Sequence, residues 1–339
     1  MEHLALSYYS ESLRGLAKTL SHPKASQVAN HNGVLMSVML LYLHGCMGQG
    51  TYLDIPPHLN AAMNILTLRL LNAPLKINRP FDRLAVESVL YQVFLVSTGL
   101  WSDQKPLINF DLAFWLKAEK LLEQSIMFAG QSNSLNSPVL GVPVALFRLA
   151  IQVKEMYQNP QAYTEQALDE LRSEAESWEA AVLCNQQIDQ LGVNEPPNQY
   201  QRYYESASYL YALIVSLLLE QIPAFPIMHQ PKSYQQTPLG QARSPPKTAA
   251  SNSWQVQKGV QIIKKHQHDD NWAACYIGNW PTYTFGFFLS DPEHMDIVRH
   301  DLKRRWESTR FMQIPRFHEN LESVWAVRDS ALMSSLGGA

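Results

Sequence analysis

The chain has 339 residues, of which 46% are apolar and 17% charged, with a formal net charge of −3. A chain of this length can bury roughly three quarters of its unfolded surface in one large domain or two closely packed ones, and its near-balanced charge excludes a strong electrostatic pull on nucleic-acid phosphates. Its three cysteines, Cys46, Cys184 and Cys275, include no Cys-x-x-Cys pair, which excludes both a cysteine-held structural zinc site and a disulfide scaffold and points to a reducing compartment.

Taken in chain order, Leu4, Tyr8, Ser12 and Leu16 fall on one helical stripe,. A break at His22-Pro23 precedes an apolar run over residues 34–43. This run and residues 213–219 both fall short of the ~20 residues that span a bilayer. The first twenty residues have no basic segment leading into an apolar one,. These features predict an intracellular protein, in nucleus or cytoplasm, with no membrane partner.

His44 and His58 flank the loop Gly45-Cys46-Met47-Gly48-Gln49-Gly50. The loop lacks the Gly-Lys-Ser/Thr ending of a phosphate cradle and comes after a helix, where such cradles come after a strand. Cys46 has a histidine nearby, but no third group or oxyanion donor is placed for nucleophilic chemistry; it reads as a small buried residue beside helix-end histidines. Leu59, Met63, Leu66 and Leu70 form the next stripe. Proline and glycine break the pattern at 74–80, 130–143 and 194–197, and residues 162–191 read as a long helix,.

Residues 223–253 carry prolines at 223, 226, 231, 238, 245 and 246, so they sustain neither a helix nor a hydrogen-bond ladder. They are expected to form a flexible insertion within a single domain over 1–339, because an amphipathic helix resumes at 254–265. In the cluster His266-Gln267-His268-Asp269-Asp270, the two imidazoles would point about 200° apart on a helix, which is poor metal-ligand geometry. The cluster reads as a helix end, with His268 near the carbonyl dipole and Asp269-Asp270 capping the next element. The basic run from Arg299 to Arg305 reads as the wet face of an amphipathic helix. The whole predicts an all-α bundle of about ten helices without a sheet, metal or cofactor.

Six segments, in this order, resemble one family. They are Tyr8-Tyr9-Ser10-Glu11-Ser12-Leu13-Arg14-Gly15-Leu16, the core helix Gly33 through Leu41, His58-Leu59-Asn60-Ala61-Ala62, Leu140-Gly141-Val142-Pro143, Tyr203-Tyr204-Glu205-Ser206-Ala207, and Trp280-Pro281-Thr282-Tyr283-Thr284-Phe285-Gly286. Together they resemble the regulatory domain of fungus-specific transcription factors of the second major type, found in zinc-cluster factors. The resemblance implies a helical body that restrains or licenses a DNA reader and, in some members, senses a small molecule. Such a reader needs six closely spaced cysteines, so no direct nucleic-acid binding is expected of these residues. Two departures stand out. The family has further residues before the opening helix, and its closing motif continues Gly-Cys-Glu-Ala, whereas here Gly286 leads into Phe287-Phe288-Leu289.

The aromatic residues ordinarily fill the core between helices. The functional alternative is an apolar pocket with a few polar donors, for which His44, Tyr91, Trp115, Trp280, Tyr283 and Phe287 are the candidates. Two functions fit. One is a regulatory module that binds a hydrophobic small molecule, a protein partner or a second copy of itself. The other is a cofactor-free, pericyclase-type cyclase of fungal secondary metabolism, in which holding the reactant's shape lowers the barrier by roughly 7–11 kcal/mol.

Overall fold

A computed structural model of the chain describes the backbone of residues 2–21, 31–47, 51–71, 77, 79–103, 108–128, 136–191, 199–222 and 244–336. Among the described residues there are thirteen α-helices and no strand. They are α1 (Glu2–Leu20), α2 (Asn32–Met47), α3 (Ile55–Leu66), α4 (Pro80–Thr98), α5 (Leu112–Glu123), α6 (Val144–Gln158) and α7 (Glu165–Leu191). The series continues with α8 (Gln199–Gln221), α9 (Trp254–Lys265), α10 (Asp270–Ala274), α11 (Asn279–Gly286), α12 (Pro292–Thr309) and α13 (Gln313–Leu336). Among these residues no helix is long and apolar enough to cross a membrane. The chain separates into two compact units, the first comprising Met1–Ser97 and Leu107–Gly141, the second Thr98–Pro106 and Val142–Ala339.

In the first unit α2 packs on α3. Pro56 and Pro57 start α3, where their missing N–H groups cost no helical bond,, and the helix widens into a π-turn over Thr67–Leu71. The fully buried Glu87 on α4 accepts from Arg83 Nε at 2.7 Å and from the backbone N–H groups of Val139 (2.9 Å) and Leu140 (3.2 Å). The Leu140-Gly141 step is thereby pinned to α4, and Gly141 takes a left-handed φ of 58° that favours glycine,. Helix α1 is held differently. Of its residues 4–19 only Tyr9 is buried, and the Leu4/Tyr8 stripe faces solvent.

In the second unit α8 is the central helix, buried continuously over residues 211–219 and packed on α6, α7, α9 and α11. All eight residues of α11 are buried. Two glycines allow the close approach this needs. A Cβ on Gly259 would stand 2.4 Å from the Phe285 ring, and one on Gly286 would stand 2.9 Å from Leu321 Cδ1.

Of the proline-rich segment, residues 223–243 lie outside the described residues, so most of the expected insertion does too. The rest is tied down. Lys247 and Gln221 exchange two hydrogen bonds of 2.8 Å, and Ala249 N–H donates to Phe288 O at 2.9 Å.

Exposed large apolar side chains are divided unequally. Among the described residues there are sixteen, of which Trp254 and Val327 belong to the second unit and fourteen to the smaller first unit.

Candidate functional site

The Trp280–Gly286 segment lies in α11 and Phe287 caps its C-terminus; Trp280, Tyr283 and Phe287, at i, i+3 and i+7, share one side of the helix but meet different partners. Trp280 stacks on Tyr211 of α8 with ring centroids 5.6 Å apart and planes 13° apart. Tyr283 stacks on Phe317 of α13 at 4.0 Å and meets Phe287 edge-on at 5.2 Å. Phe287 reaches Trp101 at 6.2 Å. The Tyr283 hydroxyl accepts from Trp101 N–H at 3.0 Å and donates to Asn320 Oδ1 at 2.5 Å. Burial pushes its pKa well above the phenol's ordinary value,, so the group holds its proton and spends it on Asn320. Buried Lys154 completes this corner, with Nζ 4.8 Å from the Trp101 ring centroid and 3.4 Å from Leu100 O.

Of the six residues expected from sequence, Tyr283 and Phe287 are thus brought into contact, while Trp280 turns to α8. The other three belong to the first unit and pack against different neighbours. His44 Nδ1 lies 2.9 Å from Thr51 Oγ1, and its ring stacks on Tyr9 at 4.8 Å. Tyr91 stacks on Phe94, one turn along α4. Trp115, fully buried on α5, tilts against Phe110 at 5.6 Å. Beside His44, the Cys46 thiol donates to Gln92 Oε1 at 3.3 Å, and burial pushes its pKa up to about 12; it stays a thiol.

The His266–Asp270 cluster ends one helix and starts the next. His266 is the C-terminal cap of α9, and Asp269 caps α10 by accepting from Asn271 and Trp272 N–H. The His266 ring stacks on Trp272 at 4.8 Å, and its Nε2 lies 2.9 Å from Ser206 Oγ. Burial, with Lys265 nearby, pulls its pKa down to about 4.

The basic run 299–305 corrects the sequence reading, because it is not one solvated face. Asp301, Leu302 and Arg305 point inward. Arg305 Nε donates to Asp301 Oδ2 at 2.6 Å, and its guanidinium lies 4.5 Å from the Trp272 ring centroid. Trp272 Nε1–H in turn donates to Asp301 Oδ1 at 2.8 Å. Arg305 and Asp301 stand one turn apart on the side already marked by Val298 and Leu302, and that spacing is the signal from which an internal pair could have been read.

The outward half of the same run faces a groove that sequence reasoning missed. It has a volume of about 520 Å³ and lies between α12 and α13, which are joined through the left-handed Arg310. Leu302, Trp306, Ile314 and Pro315 supply its apolar surface, and Asp296, Arg299, His300, Lys303, His318 and Glu319 its polar rim. Arg299 is committed elsewhere. It pairs with Glu322 at 2.6 and 3.1 Å and with Asp296 at 2.6 Å, and lies 4.8 Å from the Trp325 ring centroid.

Comparison with curated proteins and with solved structures gave no significant match. The model of the fungal specific transcription factor domain matches residues 1–335, nearly the whole of this all-helical chain, and the chain therefore belongs to that family of regulatory domains.

Proposed function

We propose that this regulatory domain acts by taking up a hydrophobic small molecule with a polar or acidic end in the α12–α13 groove. The groove itself is the observation that carries the reading. Its volume of about 520 Å³ falls within the roughly 300–1,000 Å³ typical of small-molecule sites, and its make-up of apolar walls with a few polar groups is the usual one. The Trp306 ring offers a flat apolar surface, and Lys303 a cation on the same rim. Uptake also has a route to the rest of the unit. Helix α13 lines the groove with Ile314 and His318 while, between them, Phe317 stacks on Tyr283 of α11. A molecule that bridges α12 and α13 therefore favours whichever setting of α13 keeps that stack, and a partner regulator can read the difference.

The test is a titration with 1-anilinonaphthalene-8-sulfonate, an aromatic body with one acidic end. Saturable fluorescence enhancement is expected, with the dissociation constant raised about tenfold or more, equivalent to ~1.4 kcal/mol, by Trp306→Ala and by Lys303→Glu. Equal affinity in the wild type and Trp306→Ala would overturn the reading.

A further inference from the structure

Helix α3 starts without a side-chain cap. Asp54 stands at its N-cap, where a carboxylate ordinarily accepts from the N–H of the second or third helical residue. Those residues are Pro56 and Pro57, which have no N–H, and the Asp54 side chain makes no cap bond,. The carboxylate is thereby left for a donor from outside the helix, and the donor it meets is a phenol. The Tyr9 hydroxyl donates to Asp54 Oδ2 at 3.0 Å and lies 2.8 Å from His58 Nε2, while the Tyr9 ring stacks on His44 at 4.8 Å.

This socket belongs to α2, α3 and the single turn Tyr52–Asp54 between them, and those elements hold its shape without α1. His44 Nδ1 lies 2.9 Å from Thr51 Oγ1, and Asp54 N–H donates to Thr51 O at 3.1 Å. Gly45 lets α2 close onto the same turn, since a Cβ there would stand 2.6 Å from Ile55 Cγ1 and 2.9 Å from Thr51 O. The helix that fills the socket is held far less firmly. Tyr9 is the one buried residue among residues 4–19, and Leu4 and Tyr8 are 59% and 62% exposed. Helix α1 therefore belongs to the low-stability end of its unit, the end from which movable elements are drawn.

From this we infer that the His44/Asp54/His58 socket is a binding site for phenolic small molecules, which the chain's own Tyr9 fills, and that a phenol entering it releases α1. The class of ligand is the one already seated there. A flat ring covers His44, a hydroxyl proton meets Asp54, and the hydroxyl oxygen keeps a lone pair for His58. An aromatic ring without the hydroxyl leaves the carboxylate unmet, and a carboxylic acid sets a second negative charge beside it. The socket lies in the first unit, and the inference is independent of the α12–α13 groove.

The probe is p-cresol, the tyrosine side chain as a free molecule. Calorimetric titration of full-chain Tyr9→Ala should show one saturable site, weakened about tenfold or more by adding Asp54→Ala. Toluene should bind Tyr9→Ala at least about tenfold more weakly than p-cresol, the loss expected for a hydrogen bond to a charged group. In the wild type, hydrogen exchange in residues 2–20 should quicken with p-cresol concentration, about tenfold at ten times the dissociation constant, because ligand bound to the undocked form raises its population in that proportion. Exchange in α3 and α8 should not change, and toluene should leave α1 as it was. Exchange of α1 that does not respond to p-cresol in the wild type overturns the inference, as does an equal quickening in α8, which would mean general unfolding. Equal affinity of Tyr9→Ala for toluene and p-cresol overturns it as well, since the site would then be an apolar hole and no phenol socket.

Discussion

The Tyr9 hydroxyl lies 2.8 Å from His58 Nε2 and donates to Asp54 Oδ2 at 3.0 Å. It joins the tyrosine-led opening helix to the His58-Leu59 step, two segments that the sequence presents as separate motifs. Burial and the bond to Asp54 push the Tyr9 pKa up to about 12, so the hydroxyl keeps the proton it gives to Asp54 and has a lone pair left for His58. Because Tyr9 is the one buried residue among residues 4–19, this node is the main attachment of α1.

Tyr9→Ala is therefore expected to release α1 while the rest of the first unit stays folded. Hydrogen exchange measured by segment reads this directly. Protection should fall in residues 2–20 and persist in α3 and α4. Tyr9→Phe keeps the ring stack on His44 and loses only the hydroxyl, at a cost of about 1 kcal/mol. Unchanged protection of α1 in Tyr9→Ala would show that something else holds the helix.

How far the fold could be read from sequence varies with the residue. The amphipathic period over 254–265 gave a helix with the bounds Trp254–Lys265, and the acidic pair after it gave the cap at Asp269, because both signals are local. The stripe Leu4/Tyr8/Ser12/Leu16 marked a helix but not its docked side. A single buried Tyr9 outweighs the periodic pattern, since an aromatic ring with a polar tip can anchor a helix alone. The inward turn of Asp301 and Arg305 was masked by their charge, which suggests a wet face, although their one-turn spacing on the side of Val298 and Leu302 carried the signal. The groove was hidden for a different reason. Its walls come from two helices that only the turn at Arg310 brings together.

Two glycines should respond to alanine in opposite directions. Gly15, within α1, has nothing within 4 Å of the position a Cβ would take, so Gly15→Ala should gain up to about 1 kcal/mol from helix propensity alone. Gly259 has the same propensity to gain, but its added Cβ would stand 2.4 Å from Phe285 Cε2 and Cζ. Phe285 is fully buried and has nowhere to retreat. Gly259→Ala should therefore cost a net ~1–3 kcal/mol through overpacking. Chemical denaturation of both variants measures the pair, and equal signs would contradict the packing described here.

The Arg305–Asp301 pair predicts a strong asymmetry between single and double substitution. Both side chains are nearly devoid of solvent contact, so Asp301→Leu leaves a buried guanidinium with its carboxylate gone and should cost roughly 3–5 kcal/mol. Adding Arg305→Met removes the stranded charge and should recover much of that loss, since an apolar pair of similar volume is often neutral against a buried ion pair. If the double variant is less stable than Asp301→Leu alone, the pair is contributing more than charge compensation.

His266 makes stability depend on acid. Its folded pKa of about 4 lies below the ordinary histidine value of 6.5, so on acidification the unfolded chain takes up the proton first, and the native state is penalised as pH falls from about 6.5 towards 4. Between pH 7 and pH 5 this single group should remove about 2 kcal/mol, a window that lies mostly above the carboxylate titrations. His266→Gln cannot titrate and its amide can still bond to Ser206 Oγ, so its stability should change less than the wild type's over the same interval. Urea denaturation of both proteins at pH 7, 6 and 5 separates the cases. Parallel curves would mean that the imidazole is protonated as easily in the folded protein as in the unfolded chain, and that its stacking on Trp272 does not shield it from water.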